Sequence, residues 1–252
     1  MIEIFILSIV QGITEFLPIS SSSHLILISE YLNFENKSLS IDVSLHIGSF
    51  LAVITFFYKE IINFYKNRIL FLKVLISSIP LMIVGYFLIK TNLIDVLRNI
   101  KVIAWTTIIF GFLLYISDRC KLTANIQKNF NFKSAILIGV FQILSLVPGV
   151  SRSGIGITAA RFLKFNRRDS TKISFLLSIP ILGVLSVHGI GDIFFSENIN
   201  LAKINLLSIF FSFIFSLITI KFFLYYISKF DLKIFVYYRI SLGLILLYFA
   251  YL

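Results

Sequence analysis

Two short segments of the chain combine side chains that suit phosphate chemistry. In the first segment, Pro18 is followed by a serine run from Ser20 to Ser23 and then by His24. Serines at the start of a helix cap its backbone donors, and a helix N-terminus attracts phosphate. A serine hydroxyl can act as a nucleophile, and an imidazole titrates near neutral pH, which suits proton transfer. This segment therefore predicts phosphate binding or phosphoryl transfer.

The second segment reads Ser151-Arg152-Ser153-Gly154 and directly follows Pro148-Gly149. An arginine guanidinium presents a planar fork of donors that matches phosphate oxygens, and glycine lets a backbone approach a ligand closely. The segment itself contains no acidic residue, so its arginine needs an anion from elsewhere in the chain or from a ligand. That anion is either Glu15, which lies one helical turn after Gln11, or a phosphate.

The composition places both segments in a membrane. The chain has 252 residues, is 58% hydrophobic and 14% charged, and has a mean hydropathy of +0.95, whereas a soluble domain has roughly 25% charged residues. This composition excludes a soluble enzyme and a disordered chain, and the single Cys120 excludes an internal disulfide. The net charge of +11 resides in short loops between apolar runs, so we expect a lipid bilayer and no nucleic acid as partner.

Apolar runs define the membrane architecture. Six of them are candidate spans, near residues 43–57, 69–89, 102–117, 173–189, 204–227 and 234–252. Two further runs, 2–17 and 134–147, end at prolines, and the second is only about 21 Å long at 1.5 Å per residue, too short for ~30 Å of hydrocarbon. Because proline breaks a helix, and broken helices need protein or a polar cavity around them, we interpret both runs as re-entrant hairpins. The alternative is two kinked spanning helices.

The loop charges orient these elements. The loops 59–68, 118–133, 164–172 and 228–233 hold 13 Lys and Arg residues, whereas the loops 31–42, 90–101 and 190–203 hold 5. By the positive-inside rule the first group is cytoplasmic, so both termini lie outside and the two hairpins enter from opposite sides. Tyrosines near the cytoplasmic loops predict an interfacial aromatic belt. They are Tyr58, Tyr65, Tyr115, Tyr225, Tyr226, Tyr237 and Tyr238.

The two halves of the chain repeat one pattern. Aligning Pro18 with Pro148, at an offset of 130, places Ser21 on Ser151. Each half contains one hairpin and three spans, in opposite orientations. We therefore expect one integral membrane domain, 1–252, with repeats of about 1–126 and 127–252. The fold class is an all-α polytopic membrane protein, with six transmembrane helices plus two re-entrant helix–loop–helix hairpins in an inverted-topology repeat, whose broken helices meet near the midplane.

Charged residues outside the two motifs are assigned structural roles. Arg161, Lys221 and Arg239 lie close enough to the basic loops to snorkel towards them. His46, near the start of a span, is expected to pack between helices, with a place in the site as the alternative. His188 precedes an outer loop, and we expect it at the membrane interface.

The motifs together resemble the undecaprenyl-diphosphate phosphatase family, also called the bacitracin-resistance family. The resemblance covers essentially the whole chain. It is carried by residues 11–24 (QGITEFLPISSSSH), 148–154 (PGVSRSG), 174–177 (SFLL) and 238–239 (YR). It implies an enzyme that removes the terminal phosphate of undecaprenyl diphosphate, which recycles the lipid carrier for cell-wall synthesis and confers resistance to bacitracin.

The resemblance also implies roles for single residues. The catalytic set is Ser21, His24, Glu15 and Arg152, with either Ser21 or His24 as the nucleophile. The substrate-binding set is Gln11, Ser20, Ser22, Ser151, Ser153 and Gly154. A divalent cation, Mg²⁺ or Ca²⁺, is expected, with Glu15 as a candidate ligand. Gln11 stands where many members have a carboxylate, and Ser23 and Gly156 stand where glycine and threonine are common, so the metal ligands and the loop hydrogen bonds stay open.

The resemblance further implies a polyprenyl diphosphate lipid as substrate, a homodimer, and a place in the bacterial cytoplasmic (inner) membrane with the site open to the periplasm. An inverted repeat is equally typical of a transporter or flippase of a polyprenyl phosphate lipid, which is the main alternative. A structural scaffold leaves Glu15, His24 and Arg152 unexplained, because ionisable groups at membrane depth are costly.

Overall fold

A computed structural model describes residues 2–31, 39–64, 67–91, 93–194 and 199–252, and within these ranges the chain is helical, with one isolated β-bridge between Ala124 and Phe165. The helices are α1 (Ile2–Thr14), α2 (Ser21–Tyr31), α3 (Leu39–Phe56), α4 (Tyr58–Phe64), α5 (Arg68–Lys90), α6 (Leu93–Val96), α7 (Ile100–Asp118), α8 (Ile126–Asn129), α9 (Phe132–Gln142), α10 (Arg152–Phe162), α11 (Arg167–Phe194), α12 (Ile199–Lys229) and α13 (Lys233–Tyr251). A 3-10 turn, Ile143–Leu146, continues α9.

Long apolar helices form the membrane-spanning part. Within the described ranges, α5, α7, α11, α12 and α13 each contain a segment long and apolar enough to cross a bilayer. A sixth span results when α3 and α4, which bend by 74° at their junction, count as one. The prediction of an all-α polytopic membrane protein is confirmed.

The two remaining apolar helices break as the prolines predict. The helix α1 ends at Thr14 and the chain turns through Pro18 before α2, while α9 and its 3-10 turn end before Pro148 and α10 follows. Both apolar arms are shorter than a span. We call α1 with α2 the first hairpin and α9 with α10 the second hairpin.

Corresponding helices of the two halves make corresponding contacts. The first arm, α1, packs on α12 of the other half, and α9 packs on α5; α3 packs on α11, and α7 on α13. Each arm approaches its partner helix closely at a glycine. A Cβ on Gly12 would lie 2.5 Å from the Phe215 Cβ of α12, and one on Gly139 would lie 2.4 Å from the Ser77 carbonyl oxygen of α5, so a larger residue would clash at either position. The boundary of the halves near residue 126 stays a prediction.

The register of the two motifs differs by one residue from the expected one. Ser20 and Ser151 both adopt a positive φ, 75° and 70°, and each directly precedes the second helix of its hairpin. Their offset is 131 residues, so the expected alignment of Ser21 with Ser151, at 130, is wrong. The reason is the length of the break, which holds Gly149-Val150 in the second hairpin and Ile19 alone in the first.

Arg161 does not snorkel, which contradicts the expectation. Its side chain is 1% exposed and donates to the carbonyl oxygens of Phe165 (2.7 Å), Asp118 (2.7 Å) and Cys120 (3.1 Å). The Asp118 carboxylate in turn accepts two hydrogen bonds from Arg167, at 2.7 and 3.0 Å. The guanidinium therefore satisfies carbonyls at the meeting of α7, α10 and α11 instead of reaching for lipid headgroups.

Several tyrosines of the predicted belt are exposed, and their place at a membrane interface stays a prediction. Tyr58, Tyr225 and Tyr237 are each more than half exposed, and Lys221 is exposed on α12. Tyr65 and the side chain of His188 lie outside the described residues.

Candidate active site

The tips of the two hairpins meet inside the helix bundle. Ser153, at the start of α10, donates to the Leu17 carbonyl oxygen of the first hairpin at 2.7 Å. This contact crosses from one half of the chain to the other. It places the N-terminal ends of α2 and α10 side by side.

The buried guanidinium of Arg239, on α13, donates hydrogen bonds to the breaks of both hairpins. Arg239 on α13 is 0% exposed and donates to the carbonyl oxygens of Pro18 (3.2 Å), Gly149 (2.8 Å), Val150 (3.1 Å) and Thr107 (3.2 Å). The expectation that Arg239 snorkels is wrong. Breaking two helices leaves carbonyls without helical donors, and this side chain supplies the missing hydrogen bonds.

Glu15 is the centre of the site. Its side chain is 5% exposed, and its Oε1 accepts a hydrogen bond from Arg152 Nη2 at 2.6 Å. Its Oε2 accepts from Ser21 Oγ at 2.7 Å and from Gln11 Nε2 at 3.1 Å. Of the two anions that the sequence left open for Arg152, the structure shows Glu15.

Ser21 and Arg152 hold equivalent positions in the two halves. Ser21 is the first residue of α2 and Arg152 is the first residue of α10, and both side chains bond to the Glu15 carboxylate. Each helix N-terminus carries backbone donors and the positive end of a helix dipole. Two such ends with a guanidinium between them form a binding place for an anion with several oxygens, such as a diphosphate.

His46 joins this network, although packing between helices was the favoured expectation. Its Nδ1 lies 3.0 Å from Gln11 Nε2 and 4.0 Å from Glu15 Oε2. The opposite orientation of the Gln11 amide would turn its oxygen towards the Glu15 carboxylate, so the amide nitrogen donates to both neighbours. Gln11 Oε1 is then buried and, in the described part of the chain, without a partner.

His24 lies one turn after Ser21 on α2. Its Nδ1 is 2.7 Å from the Ser20 carbonyl oxygen, and its Nε2 is 2.5 Å from the hydroxyl of Tyr238 on α13. Sequence reasoning placed Tyr238 in the interfacial belt and missed this contact, which joins residues 214 positions apart. The 238–239 pair, noted only for its resemblance, was the available signal.

The other predicted binding residues border the breaks. Ser20 Oγ bonds to Ser23 Oγ at 2.9 Å, and Ser22 is exposed. Ser151 Oγ accepts from the Gly154 backbone N–H at 3.1 Å, which caps α10. These groups shape the backbone of the site in this state, and their contact with substrate stays a prediction.

The donor set around Glu15 does not fit a resident divalent cation. Both carboxylate oxygens already accept hydrogen bonds, and one of the donors is a cationic guanidinium. Gln11 turns its amide N–H, which is not a metal ligand, towards Glu15, and the one carboxylate is already neutralised by Arg152, whereas hard cations need oxygen ligands with a net negative charge. Among the described residues there is no cluster of three His, Cys, Asp or Glu side chains.

The chain is similar to known proteins over almost its whole length. Residues 4–245 match the family described as Bacitracin resistance protein BacA. The undecaprenyl-diphosphatase of Pelagibacter ubique (strain HTCC1062) is 50% identical over 251 residues, which are 99% of this chain and 98% of that protein. Those of Jannaschia sp. (strain CCS1) and Roseobacter denitrificans (strain ATCC 33942 / OCh 114) are 36% and 35% identical, each over at least 98% of both chains.

Proposed function

The chain belongs to the bacitracin resistance protein family, and from this premise we propose that it hydrolyses undecaprenyl diphosphate to undecaprenyl phosphate and inorganic phosphate. The observation that carries the proposal is the convergence of Ser21 and Arg152, from two separate half-helices, on Glu15. A nucleophile, a base and a phosphate-binding cation are thereby held in one place. Removal of the terminal phosphate returns the lipid carrier to cell-wall synthesis and underlies resistance to bacitracin.

Substrate binding uses the positive ends of α2 and α10. An arginine has five N–H donors, and its bond to Glu15 uses one of them, which leaves others for phosphate oxygens. Most of the rate of phosphoryl transfer comes from positioning and from electrostatic stabilisation of the transferring oxygens. Arg152 and the two helix ends supply that stabilisation.

The geometry favours Ser21 as the nucleophile, because its hydroxyl already donates to a carboxylate. Its proton passes to Glu15 as the Oγ–P bond forms, and the bond from the terminal phosphorus to the bridging oxygen breaks, which releases undecaprenyl phosphate. Water then attacks the phosphoserine and gives a proton to His24. Ser21 leaves as the phosphorus–Oγ bond breaks and recovers its proton from Glu15, and His24 releases the other proton to solvent.

In this proposal the substrate, not the protein, brings the divalent cation to the site. Because the donor set around Glu15 does not fit a resident ion, we propose that Mg²⁺ or Ca²⁺ arrives bound to diphosphate oxygens. The cation would neutralise part of the phosphate charge. All protein groups keep the roles given above.

The position in the cell follows from the charge asymmetry of the loops. We propose that the chain lies in the bacterial inner membrane with its site open to the periplasm, and that it forms a homodimer. The excess of Lys and Arg in four loops supports the orientation. Resemblance to the family supports the dimer.

Phosphate release by detergent-purified protein tests the function. The assay has two arms, one with the divalent cation present and one with a chelator. In the arm that contains the cation we expect stoichiometric release of inorganic phosphate from undecaprenyl diphosphate. A transporter or flippase needs two separated compartments, whereas a hydrolase works in detergent. Absence of phosphate release from folded protein with the cation present would reject the hydrolase and favour the transporter, which the names of the relatives do not support.

A further inference from the structure

We propose that Tyr238 is a positioning residue that fixes the orientation of the His24 imidazole, by donating its hydroxyl to Nε2 while the Ser20 carbonyl oxygen accepts from Nδ1–H. The inference rests on the proposed function, because it assigns a task to a side chain outside the Ser21–Glu15–Arg152 group. It concerns α13, from which no catalytic residue was expected.

The tautomer follows from the hydrogen-bond partners. A carbonyl oxygen accepts hydrogen bonds and never donates, so the Nδ1 atom that lies 2.7 Å from the Ser20 carbonyl oxygen carries a proton. In a neutral imidazole the other nitrogen is then an acceptor. Nε2 therefore accepts its hydrogen bond from the Tyr238 hydroxyl.

The two rings are also held parallel. Their centroids lie 5.7 Å apart and their planes differ by 11°. A ring that is held by a hydrogen-bond partner at each nitrogen keeps one orientation. His24 thus presents its basic nitrogen in a defined direction before substrate arrives.

The backbone that carries Tyr238 is anchored on both sides. Val236 and Arg239 are buried neighbours on α13, and Arg239 is bonded to carbonyls of both hairpin breaks. The Tyr238 hydroxyl and the break before α2 are therefore tied to one rigid frame. Because Ser20, which supplies the other contact of His24, belongs to that break, both partners of the imidazole move together.

The contact between His24 and Tyr238 also indicates which residue accepts the proton of Ser21. In this structure the Ser21 hydroxyl donates to Glu15, whereas the lone pair of His24 faces Tyr238. Glu15 therefore takes the proton of the nucleophile, and His24 takes that of the attacking water. The water replaces the Tyr238 hydroxyl at Nε2 in this step, so Tyr238 holds the imidazole in position until the water binds.

The chain provides a matched control. Tyr237 is 63% exposed and Tyr238 is 42% exposed, so adjacent tyrosines on one helix differ in whether they contact the histidine. Replacing either by phenylalanine removes one hydroxyl and keeps the ring. General loss of a membrane-facing hydroxyl is thereby separated from loss of the contact with His24.

The test compares Tyr238→Phe with Tyr237→Phe in detergent-purified full-length protein. We expect Tyr238→Phe to lower kcat about tenfold with little change in KM, as for loss of one hydrogen bond in the reacting complex, and Tyr237→Phe to leave both unchanged. The midpoint of thermal unfolding should be the same for both variants, because the ring packing is retained.

A spectroscopic readout separates positioning from packing. Protein labelled with ¹⁵N-histidine has three imidazoles, His24, His46 and His188, and His24→Gln identifies the signals of the first. We expect the Nδ1–H tautomer for His24 in the wild type and in both variants, because the Ser20 carbonyl oxygen is retained. The ¹⁵N resonance of Nε2 should move downfield only in Tyr238→Phe, because that nitrogen loses its hydrogen-bond donor. An unchanged His24 Nε2 resonance in Tyr238→Phe, or an equal loss of kcat in both variants, would overturn the inference. Because the Nε2 resonance is measured without turnover, a wild type that released no phosphate would reject the proposed function alone.

Discussion

The two hairpins have the same backbone conformation but carry side chains of different chemical type. Each has a short apolar arm, a break after a proline, a serine with positive φ and a second helix that starts at the next residue. In the proposed mechanism the first hairpin contributes Glu15, Ser21 and His24, which transfer protons, and the second contributes the permanent cation Arg152. The proposed site therefore needs both hairpins: their common backbone positions the groups, and the differences between their side chains provide the chemistry.

The position that matches Glu15 shows this divergence directly. Glu15 follows Gly12 by three residues, and Gln142 follows Gly139 by three residues. Both side chains are buried, but Gln142 Nε2 has no partner in the described part of the chain. The second arm also continues into a 3-10 turn where the first turns towards Pro18, so its amide does not reach the shared site.

Ser21 holds the position in the first hairpin that matches Arg152 in the second, so Arg152→Ser makes the two hairpins alike at this position. We expect Arg152→Ser to lower kcat/KM by about 10³-fold or more, because arginines that stabilise a transferring phosphoryl group contribute roughly 10³–10⁵. The exposed Arg168→Ser on α11 is the control and should retain full activity. Phosphate release by both variants, with thermal unfolding to check folding, measures the effect; retained turnover in Arg152→Ser would remove it from the mechanism.

Gln11→Glu tests whether the amide is the reason that the site does not fit a resident cation. A second carboxylate beside Glu15 should create a pair of anionic ligands, so we expect binding of Mn²⁺, measured by electron paramagnetic resonance on substrate-free protein, to appear in this variant. The wild type and Gln142→Glu, the same substitution at the buried glutamine of the second hairpin that matches Glu15, should bind at least tenfold more weakly, because each has one carboxylate without a second anionic partner. Equal Mn²⁺ binding by wild type and Gln11→Glu would contradict this view of the site.

The smallest effect concerns the two serines with positive φ. Ser151 Oγ accepts from a backbone N–H, whereas Ser20 Oγ bonds to another hydroxyl. Loss of an N-cap typically costs about 1 kcal/mol, and the backbone strain is common to both positions. We therefore expect Ser151→Ala to lower the thermal midpoint by a few degrees more than Ser20→Ala, and equal shifts would show that the cap does not stabilise α10.

Features set by local sequence were predicted well. Proline placed both breaks, apolar length separated arms from spans, and the serine and arginine motifs identified side chains that the fold brings together on Glu15. Features that depend on packing between distant helices were missed. His46, Tyr238 and Arg239 reach the site only because α3 and α13 pack beside the breaks, and a single extra residue in the second break shifted the register.

A double-mutant cycle between Ser21 and Arg152 tests most directly whether both hairpins build one catalytic unit. Phosphate release is measured for Ser21→Ala, Arg152→Ser and the double variant. Residues that act as a unit are strongly non-additive, so we predict that the double variant is about as slow as the slower single variant. A loss in the double variant equal to the product of the two single losses would contradict the shared site.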